Sequence, residues 1–220
     1  MTGTLALVGG REWTDGCTFD RDLLERSGGS EVLVLPTGSA YERPDRLVEQ
    51  ARTWFAALGA TVTELPVLAR PDAVDADLAE QARAASFIYL AGASAQHARS
   101  VLKDSPLFDA LVEAYRGGAV LAGTNAGADV LCDPMVDFRG GAFTVGLGVV
   151  TNMAVIPRAD TWSPEKIHRT VALAPEGVAL AALPEATALL RAADGTWTAA
   201  GVGSVEVHLD GRLVGLSELP

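Results

Sequence analysis

The fold of this chain is decided by the stretch Ala119-Val-Leu-Ala-Gly-Thr-Asn-Ala-Gly-Ala-Asp-Val-Leu131. It predicts a buried strand, a sharp turn flanked by Gly123 and Gly127, and then the start of a helix. This pattern is typical of a nucleophile elbow, in which the middle residue of a strained turn projects its side chain above the sheet. The glycines are required because a Cβ there would collide with the neighbouring strand and helix. A hydrolase carries Ser or Cys at the middle position, whereas this chain carries Asn125.

The bulk composition fits a single domain spanning residues 1–220. Hydrophobic residues make up 49% of the 220 residues, which is enough for a sizeable core. The formal net charge of −11 argues against a nucleic acid or an anionic membrane as partner. No apolar run approaches the length of a membrane span, and no signal-peptide pattern opens the chain. We therefore expect a cytoplasmic protein.

Cysteine and histidine give no metal signature. Cys17 and Cys132 lie far apart in the sequence, and we expect two free buried thiols. The three histidines, His97, His168 and His208, are too scattered to indicate a zinc site. The sequence therefore predicts neither a metal nor a cofactor.

Strand-like and helix-like segments alternate over the first 131 residues. Before the elbow strand, the predicted strands are Thr4–Val8, Glu31–Leu35 (closed by Pro36), Thr61–Val67 and Ser86–Leu90. The predicted helices are Phe19–Arg26, Pro44–Leu58, Asp72–Ala84, Ala95–Leu102 and Pro106–Arg116. Such alternation predicts a parallel sheet covered by helices on both faces.

The regular alternation of strands and helices ends after Leu131. The elements expected there are a loop over 133–141, a glycine-rich strand Phe143–Val150, a strand Met153–Pro157 and a helix Pro164–Leu173 capped by Ser163. Asp-Gly turns at 194–195 and 210–211 predict two antiparallel hairpins. Their strands are Thr187–Arg191 with Trp197–Ala200, and Ser204–Leu209 with Leu213–Leu216.

Three turns rich in small residues are expected to meet in one crevice. Ligands of an open parallel sheet bind beyond the carboxyl ends of its strands. Gly9-Gly10, Gly92-Ala93 and the elbow all follow predicted strands. The elbow also supplies a helix N-terminus, whose free N–H groups favour negative charge. We therefore predict a crevice that binds a small molecule.

Four motifs follow one another in chain order: a strand ending in Gly9-Gly10, then Leu35-Pro36-Thr37-Gly38-Ser39, then Tyr89-Leu90-Ala91-Gly92-Ala93 with Gln96, and then Gly123-Thr124-Asn125-Ala126-Gly127-Ala128. With them the chain, from Leu5 to at least Trp162, resembles the serine peptidases typified by dipeptidase E and cyanophycinase. These belong to the class I glutamine amidotransferase-like superfamily. The resemblance implies a three-layer α/β sandwich with a mostly parallel central sheet of the flavodoxin-like kind. The predicted hairpins over residues 187–216 add a C-terminal antiparallel extension to this sandwich.

The resemblance also implies a Ser nucleophile in the elbow, a later His, and an assisting acid. The nucleophile position falls on Asn125. The His position, at the end of the strand Ala154–Pro157, falls on Arg158. Backbone N–H groups of Ala126 and of the Gly92-Ala93 segment take the oxyanion positions. The acid is left open among Asp133, Asp137 and Asp160.

Asn125 and Arg158 both lack the chemistry that these positions require. An amide is a poor nucleophile, and a guanidinium stays charged and cannot act as a general base. Loss of one triad member already costs roughly 10⁴ to 10⁶ in rate. Asn does tolerate the positive φ of a strained turn. We expect no hydrolysis by a Ser–His mechanism, and a crevice retained for a small peptide-like or anionic ligand.

Several interpretations stay open. Arg158 either binds a carboxylate ligand, or pairs with a local acid such as Asp160, or stays solvated. Trp162 follows the Arg158 strand and is expected to line the crevice. Ser94 with His97, three residues further on, or Thr124 alone, would give an active exopeptidase or amide hydrolase with a relocated nucleophile. A third alternative is a non-catalytic interaction subunit, for example in a homodimer.

Overall fold

Residues 2–220 are described by a computed structural model of the protein. The strands are β1 (Leu5–Val8), β2 (Glu31–Gly38), β3 (Thr61–Glu64), β4 (Phe87–Gly92), β5 (Val120–Thr124), β6 (Cys132–Asp133), β7 (Met135–Val136), β8 (Phe143–Thr144), β9 (Val150–Thr151), β10 (Met153–Pro157), β11 (Ala179–Leu183), β12 (Thr187–Arg191), β13 (Trp197–Gly201), β14 (Glu206–Leu209) and β15 (Arg212–Val214). The α-helices are α1 (Phe19–Ser27), α2 (Pro44–Ala57), α3 (Ala76–Ala84), α4 (Ala95–Leu102), α5 (Pro106–Arg116), α6 (Ala126–Leu131) and α7 (Pro164–Ala172). Short 3₁₀ turns cover Asp72–Val74, Ala159–Thr161 and Leu216–Glu218.

The main sheet has seven strands in the order β13-β12-β1-β5-β4-β2-β3. Strands β1 to β5 are parallel, and β12 pairs with β1 antiparallel. Val8 lies opposite Thr124 in the β1–β5 pair, so the turns that follow both strands are side by side. The expected α/β class and the mostly parallel central sheet are confirmed, and the first hairpin extends this sheet.

Both faces of the main sheet are buried. Successive residues of β1 alternate between two apolar clusters, as the two-residue period of a strand requires. Leu5 and Leu7 pack with residues of α3, α4, α5 and α6, whereas Ala6 and Val8 pack with residues of α1 and α2. The helices therefore form one layer on each side of the sheet, which is the expected three-layer sandwich.

A second sheet was not expected. It has six strands in the order β15-β14-β11-β10-β6-β9. The second predicted hairpin, β14 with β15, belongs to this sheet and not to the main sheet. Its strand β11 is fully buried and pairs parallel with β10. Because Ala179–Leu183 contains only Ala and Leu, it lacks the β-branched and aromatic residues that identify strands in a sequence.

Several predicted elements have different bounds in the structure, and for three of them the contacts show the reason. Strand β2 continues through Pro36, because its pairing with β4 is irregular between Leu35 and Gly38 and needs no ladder N–H there. The predicted helix Asp72–Ala84 is broken at Asp75, which is extended and caps α3 by accepting hydrogen bonds from two backbone N–H groups.

The glycine-rich strand Phe143–Val150 is also wrong, since only its two ends are strands. Between them Gly146 passes so close to the carbonyl of Cys132 that a Cβ would lie 1.7 Å from that oxygen. The chain there follows the end of α6 and does not pair with a neighbouring strand over its length.

Other expectations are confirmed. Helices α4 and α5 and strand β10 have the predicted bounds, and the Ser163 side chain caps α7. Cys17 and Cys132 are free and buried. Within residues 2–220, no helix is both long and apolar enough to span a membrane.

Candidate functional site

Asn125 occupies the turn between β5 and α6 in a strained conformation, with φ 52° and ψ −113°. Its N–H donates to the carbonyl of Val8 at 2.9 Å, and its own carbonyl accepts from the Asp129 N–H at 3.2 Å. The positive φ expected for an elbow is therefore present, and the backbone of the turn is fixed at both sides. The Asn125 side chain is partly exposed above the carboxyl end of the sheet.

The two glycines of the elbow are sterically required. A Cβ on Gly123 would lie 2.5 Å from the carbonyl oxygen of Gly127. A Cβ on Gly127 would lie 2.1 Å from the carbonyl oxygen of Leu90, in the neighbouring strand. Since backbone atoms are not free to move away, no other residue fits either position without a shift of the strand or helix.

The elbow forms the floor of a crevice of about 270 Å³. Six residues predicted for the site line it: Ala93, Gln96, Asn125, Ala126, Arg158 and Trp162. Further lining residues include Asp129 and Lys166, which the sequence did not suggest. The structure thus brings the ends of β4, β5 and β10 to one place. The small-residue turns predicted this for β4 and β5, and the family resemblance predicted it for β10.

Three predicted residues do not line the crevice. Gly10 packs under it, because a Cβ there would lie 2.8 Å from Arg158 Cγ and 3.6 Å from Asn125 Cβ. Gly92 packs against Gly38, where a Cβ would meet backbone atoms at 2.2 Å. Ser94 caps α4. At both glycines an added Cβ would meet neighbouring atoms, so these two positions require a residue without a side chain.

Arg158 stands at the end of β10 in a left-handed conformation, with φ 54° and ψ 39°. Its N–H donates to the carbonyl of Gly9 at 2.7 Å. Its Nε donates to Glu185 Oε1 at 2.8 Å, and the Arg158 side chain stays 48% exposed. The interpretation that Arg158 pairs with Asp160 is wrong. The Asp160 carboxylate instead accepts from the Glu185 N–H at 2.9 Å.

Glu185 is the acid that sequence reasoning missed. It follows β11, and β11 runs beside β10 with Leu183 opposite Pro157, so the residues after the two strands meet. Without β11 in the prediction, nothing connected Glu185 with Arg158. The available signal was the apolar run directly before Pro184-Glu185.

The acids considered from the sequence have other roles. Asp133 accepts from the Gly146 N–H at 3.0 Å. Asp137 pairs with Arg139, whose hydrogen bonds lower the pKa of Asp137 to about 2. Asp133, Asp137 and Asp160 therefore make no ion pair with Arg158 in the described part of the chain, and only Glu185 does.

Thr124 is fully buried and points away from the crevice, toward Glu12. Its hydroxyl donates to Glu12 Oε2 at 3.0 Å. Burial raises the pKa of Glu12, and the hydrogen bond from Thr124 and the charge of Arg158 partly oppose that rise. Thr124 is thus held as a structural donor, and its hydroxyl is not presented to a ligand.

Ser94 and His97 do not form a side-chain pair. The Ser94 hydroxyl oxygen accepts from the backbone N–H of His97 at 3.3 Å. The His97 ring turns the other way, with Nε2 2.8 Å from the carbonyl oxygen of Leu68. This is the helix-cap arrangement, so the imidazole is not placed to take a proton from the hydroxyl.

The predicted oxyanion donors differ in availability. Within the predicted Gly92-Ala93 segment, the Ala93 N–H already donates to the Gly38 carbonyl at 3.1 Å. Ala126 is the first residue of α6, and its N–H has no acceptor within the helix. Ala126 therefore supplies a free backbone donor on the floor of the crevice.

One wall of the crevice is cationic. Arg158 and Lys166 both line it, and Lys166 Nζ lies 3.3 Å from the centroid of the Trp162 ring. Burial and the nearby charge of Arg169 lower the pKa of Lys166. Attraction to the ring face stabilises the ammonium against that effect.

Asp129 adds a carboxyl to the same crevice from α6. It is buried, and its Oδ1 accepts from the Val136 N–H at 2.8 Å. Desolvation raises the pKa of Asp129 well above its usual value. The signal in the sequence was its spacing of four residues from Asn125, which places both on one face of a helix.

The described residues offer no evident metal site. Nowhere in residues 2–220 do three His, Cys, Asp or Glu side chains cluster closely enough to hold an ion. The charged and amide side chains that line the crevice are instead a guanidinium, an ammonium, a carboxyl and two amides.

A doubly covered parallel sheet with a strained elbow at its carboxyl edge defines a hydrolase-type α/β protein. The chain belongs to Peptidase family S51, whose sequence profile matches residues 7–196.

Similar proteins include the cyanophycinase of Trichormus variabilis, which is 27% identical over 161 residues. That match covers 71% of this chain and 54% of the relative, so this chain spans about half the length of that relative. The cyanophycinase of Synechococcus elongatus is 26% identical over 219 residues, covering 92% of this chain and 66% of the relative.

Two solved structures are similar in fold. A peptidase from an acI-B1 Actinobacterium superposes with a TM-score of 0.87 and 28% identity, covering 97% of this chain and 93% of that one. A putative peptidase E protein from Listeria monocytogenes EGD-e gives a TM-score of 0.68 at 15% identity, covering 92% of this chain and 100% of that one. The second match shows the shared fold alone.

Proposed function

We propose that this member of the S51 family does not hydrolyse peptides through a Ser–His pair, and that its crevice binds a small peptide-like or carboxylate ligand. The observation that carries the proposal is that Arg158 pairs with Glu185 beside Asn125, and that Asn125 itself occupies a turn with the elbow conformation. The backbone has the geometry of an active site, whereas the side chains of Asn125 and Arg158 suit ligand binding instead of catalysis.

The chemistry of the two positions argues against hydrolysis. The Asn125 amide has no proton whose removal would make it a useful nucleophile. Arg158 already donates to Glu185 and stays protonated at ordinary pH, so it accepts no proton from a neighbour. Neither residue supports a covalent intermediate.

The same residues suit a carboxylate. Arg158 uses Nε for Glu185, and its terminal nitrogens make no hydrogen bond within residues 2–220. A guanidinium with two free N–H groups binds a carboxylate in bidentate fashion. Lys166 and the Ala126 N–H add donors, and Trp162 adds an apolar wall.

The size of the crevice limits the ligand. A volume of about 270 Å³ lies just below the range of about 300–1,000 Å³ that is usual for drug-sized ligands. It therefore fits an amino acid or a short peptide better than a polymer. The names of the relatives, cyanophycinase and peptidase, support a ligand with a peptide-like backbone.

A thermal-shift screen of the wild-type protein tests the binding half of the proposal. We expect millimolar dipeptides or amino acids to raise Tm, because a ligand that binds only the folded state stabilises it by mass action. Arg158→Gln should remove the shift. Absence of a Tm rise with every amino acid and dipeptide tried would contradict the proposal.

A fluorophosphonate probe tests the chemical half. The wild type should remain unlabelled and should not hydrolyse dipeptides. The double variant Asn125→Ser with Arg158→His should gain labelling at residue 125, because the turn, Ala126 and Glu185 remain in place. Stoichiometric labelling of the wild type at any serine or threonine would show that it is a working hydrolase.

The remaining alternatives have less support. The contacts of Ser94 and Thr124 do not favour a relocated nucleophile. An interaction subunit, a homodimer and a cytoplasmic location stay predictions from the sequence.

A further inference from the structure

Asp129 is a buried carboxyl that lines the crevice and has no positively charged partner among residues 2–220. It lies one helical turn after Asn125, and only 5% of its surface is exposed. Oδ1 accepts from the Val136 N–H. Oδ2 has no hydrogen-bond partner within residues 2–220, and no Lys, Arg or His nitrogen there lies within 4.0 Å of either oxygen.

This environment is unusual for an acid. Carboxyl groups are rarely buried this completely unless they are paired, because burial removes the hydration that stabilises the ionised form. The charged group that acts on Asp129 is Asp137, which has the same sign and gives no compensation. An unpaired acid in a cleft is typical of a binding site.

The cations of the crevice lie elsewhere on its wall. Arg158 follows β10 and Lys166 lies on α7, whereas Asp129 lies on α6. Neither cation forms a salt bridge with Asp129. The crevice is therefore lined by a carboxyl on one element and by two cations on two other elements.

We propose that Asp129 binds the free amino group of the ligand while Arg158 and Lys166 bind its carboxylate. The class of ligand is then zwitterionic: an amino acid or short peptide with both ends free. This inference rests on the proposed function, because it specifies which end of the ligand goes where. A ligand ammonium would supply the missing partner through a charge-assisted hydrogen bond and restore the ionised carboxylate.

Titration calorimetry with three matched probes tests the inference. They are L-alanyl-L-alanine, N-propionyl-L-alanine, which lacks only the amino group, and L-alanine ethylamide, which lacks only the carboxylate. We expect the dipeptide to bind about tenfold or more tightly than either analogue, because each analogue loses one charge-assisted contact.

The variant Asp129→Asn separates recognition from structure. Its amide oxygen still accepts from the Val136 N–H, but the negative charge is gone. We expect it to bind L-alanyl-L-alanine about tenfold more weakly and N-propionyl-L-alanine as the wild type does. Asp72→Asn is the matched control. Asp72 also accepts backbone N–H bonds, from Leu68 and Ala69, but it does not line the crevice.

The outcomes distinguish the two proposals. If the wild type binds N-propionyl-L-alanine as tightly as the dipeptide, Asp129 does not recognise an amine, and this inference is overturned while carboxylate binding stands. Equal weakening of both probes by Asp129→Asn would overturn it as well. If the wild type binds none of the three probes, the proposed function fails for this ligand class, and the inference fails with it. The probe comparison needs no variant, so it decides even if Asp129→Asn does not fold.

Discussion

The Arg158 guanidinium and the Glu185 carboxylate form an ion pair with 2.8 Å between Nε and Oε1. In a Ser–His–acid arrangement the acid hydrogen-bonds the imidazole and orients it. Glu185 makes that contact with the residue at 158, although that residue is an arginine. We therefore interpret Glu185 as the third position of the arrangement, ahead of the three aspartates that the sequence suggested.

The assignment of Glu185 is testable in the double variant Asn125→Ser with Arg158→His. Adding Glu185→Gln should lower the restored hydrolysis rate by up to about 10⁴, because the imidazole loses its orienting acid. The measurement is kcat on a dipeptide. Adding Asp137→Asn in place of Glu185→Gln should leave kcat nearly unchanged, since Asp137 pairs with Arg139. A large loss with Asp137→Asn and none with Glu185→Gln would reverse the assignment.

Arg158→Gln should weaken ligand binding more than it weakens the fold. The ion pair is half-exposed, and pairs of that kind contribute about 0–1 kcal/mol to the free energy of unfolding. Loss of a bidentate carboxylate contact should raise Kd about tenfold or more. Calorimetry and urea unfolding measure the two effects. Arg139→Gln removes an arginine–aspartate pair that does not line the crevice, and it should leave Kd unchanged.

Gly127→Ala should destabilise the protein although the position is helical. The added Cβ would lie 2.1 Å from the Leu90 carbonyl oxygen, so β4 and α6 would have to separate. Overpacking of this kind costs about 1–3 kcal/mol. Urea unfolding should show the loss, and Gly215→Ala, where the nearest atom would be 3.6 Å away, should show almost none. Equal midpoints for the two variants would mean that the elbow is not tightly packed.

Asp20 should make stability depend on pH. Burial raises the pKa of this carboxyl from its usual 3.8 to about 8, against hydrogen bonds from Trp54 and Tyr89. The folded state therefore holds a proton that the unfolded chain releases, and the contribution of Asp20 to stability falls as pH rises from about 4 to about 8.

The neutral variant Asp20→Asn keeps an acceptor for the Trp54 N–H and should lack that fall. The free energies of unfolding of wild type and variant, measured across pH 4 to 8, should diverge in favour of the variant as pH rises. Asp22→Asn, an exposed change on the same helix, should follow the wild-type curve. Parallel curves for wild type and Asp20→Asn would refute the proposed protonation.

The elbow was predictable because its signals are local. Gly123, Asn125 and Gly127 lie within five residues, and steric rules act over that distance. The acid was not predictable, because Glu185 reaches Arg158 only through the pairing of β10 with β11. That pairing depends on Ala179–Leu183, a strand whose composition carries no strand signal and whose conformation is set by its burial. Tertiary packing likewise decides which of the two sheets each C-terminal hairpin joins, and the local sequence pattern does not show it.

Asp129 illustrates a different limit. Its helical position and its direction relative to Asn125 follow from the sequence, but the absence of a cationic partner can be seen only with its neighbours in place. A sequence shows which residues share a face, and the fold decides which of them remain unpaired.

The N–H groups of Asn125 and Arg158 are bound by consecutive carbonyls, those of Val8 and Gly9. The relative placement of the two positions is therefore held by main-chain hydrogen bonds, for any two side chains that tolerate the positive φ found at both positions. We therefore expect that either residue can be exchanged singly, in either order, with the turn retained, provided that the new residue tolerates a positive φ. For protein engineers, positions 125 and 158 therefore allow different pairs of side chains to be compared on the same backbone.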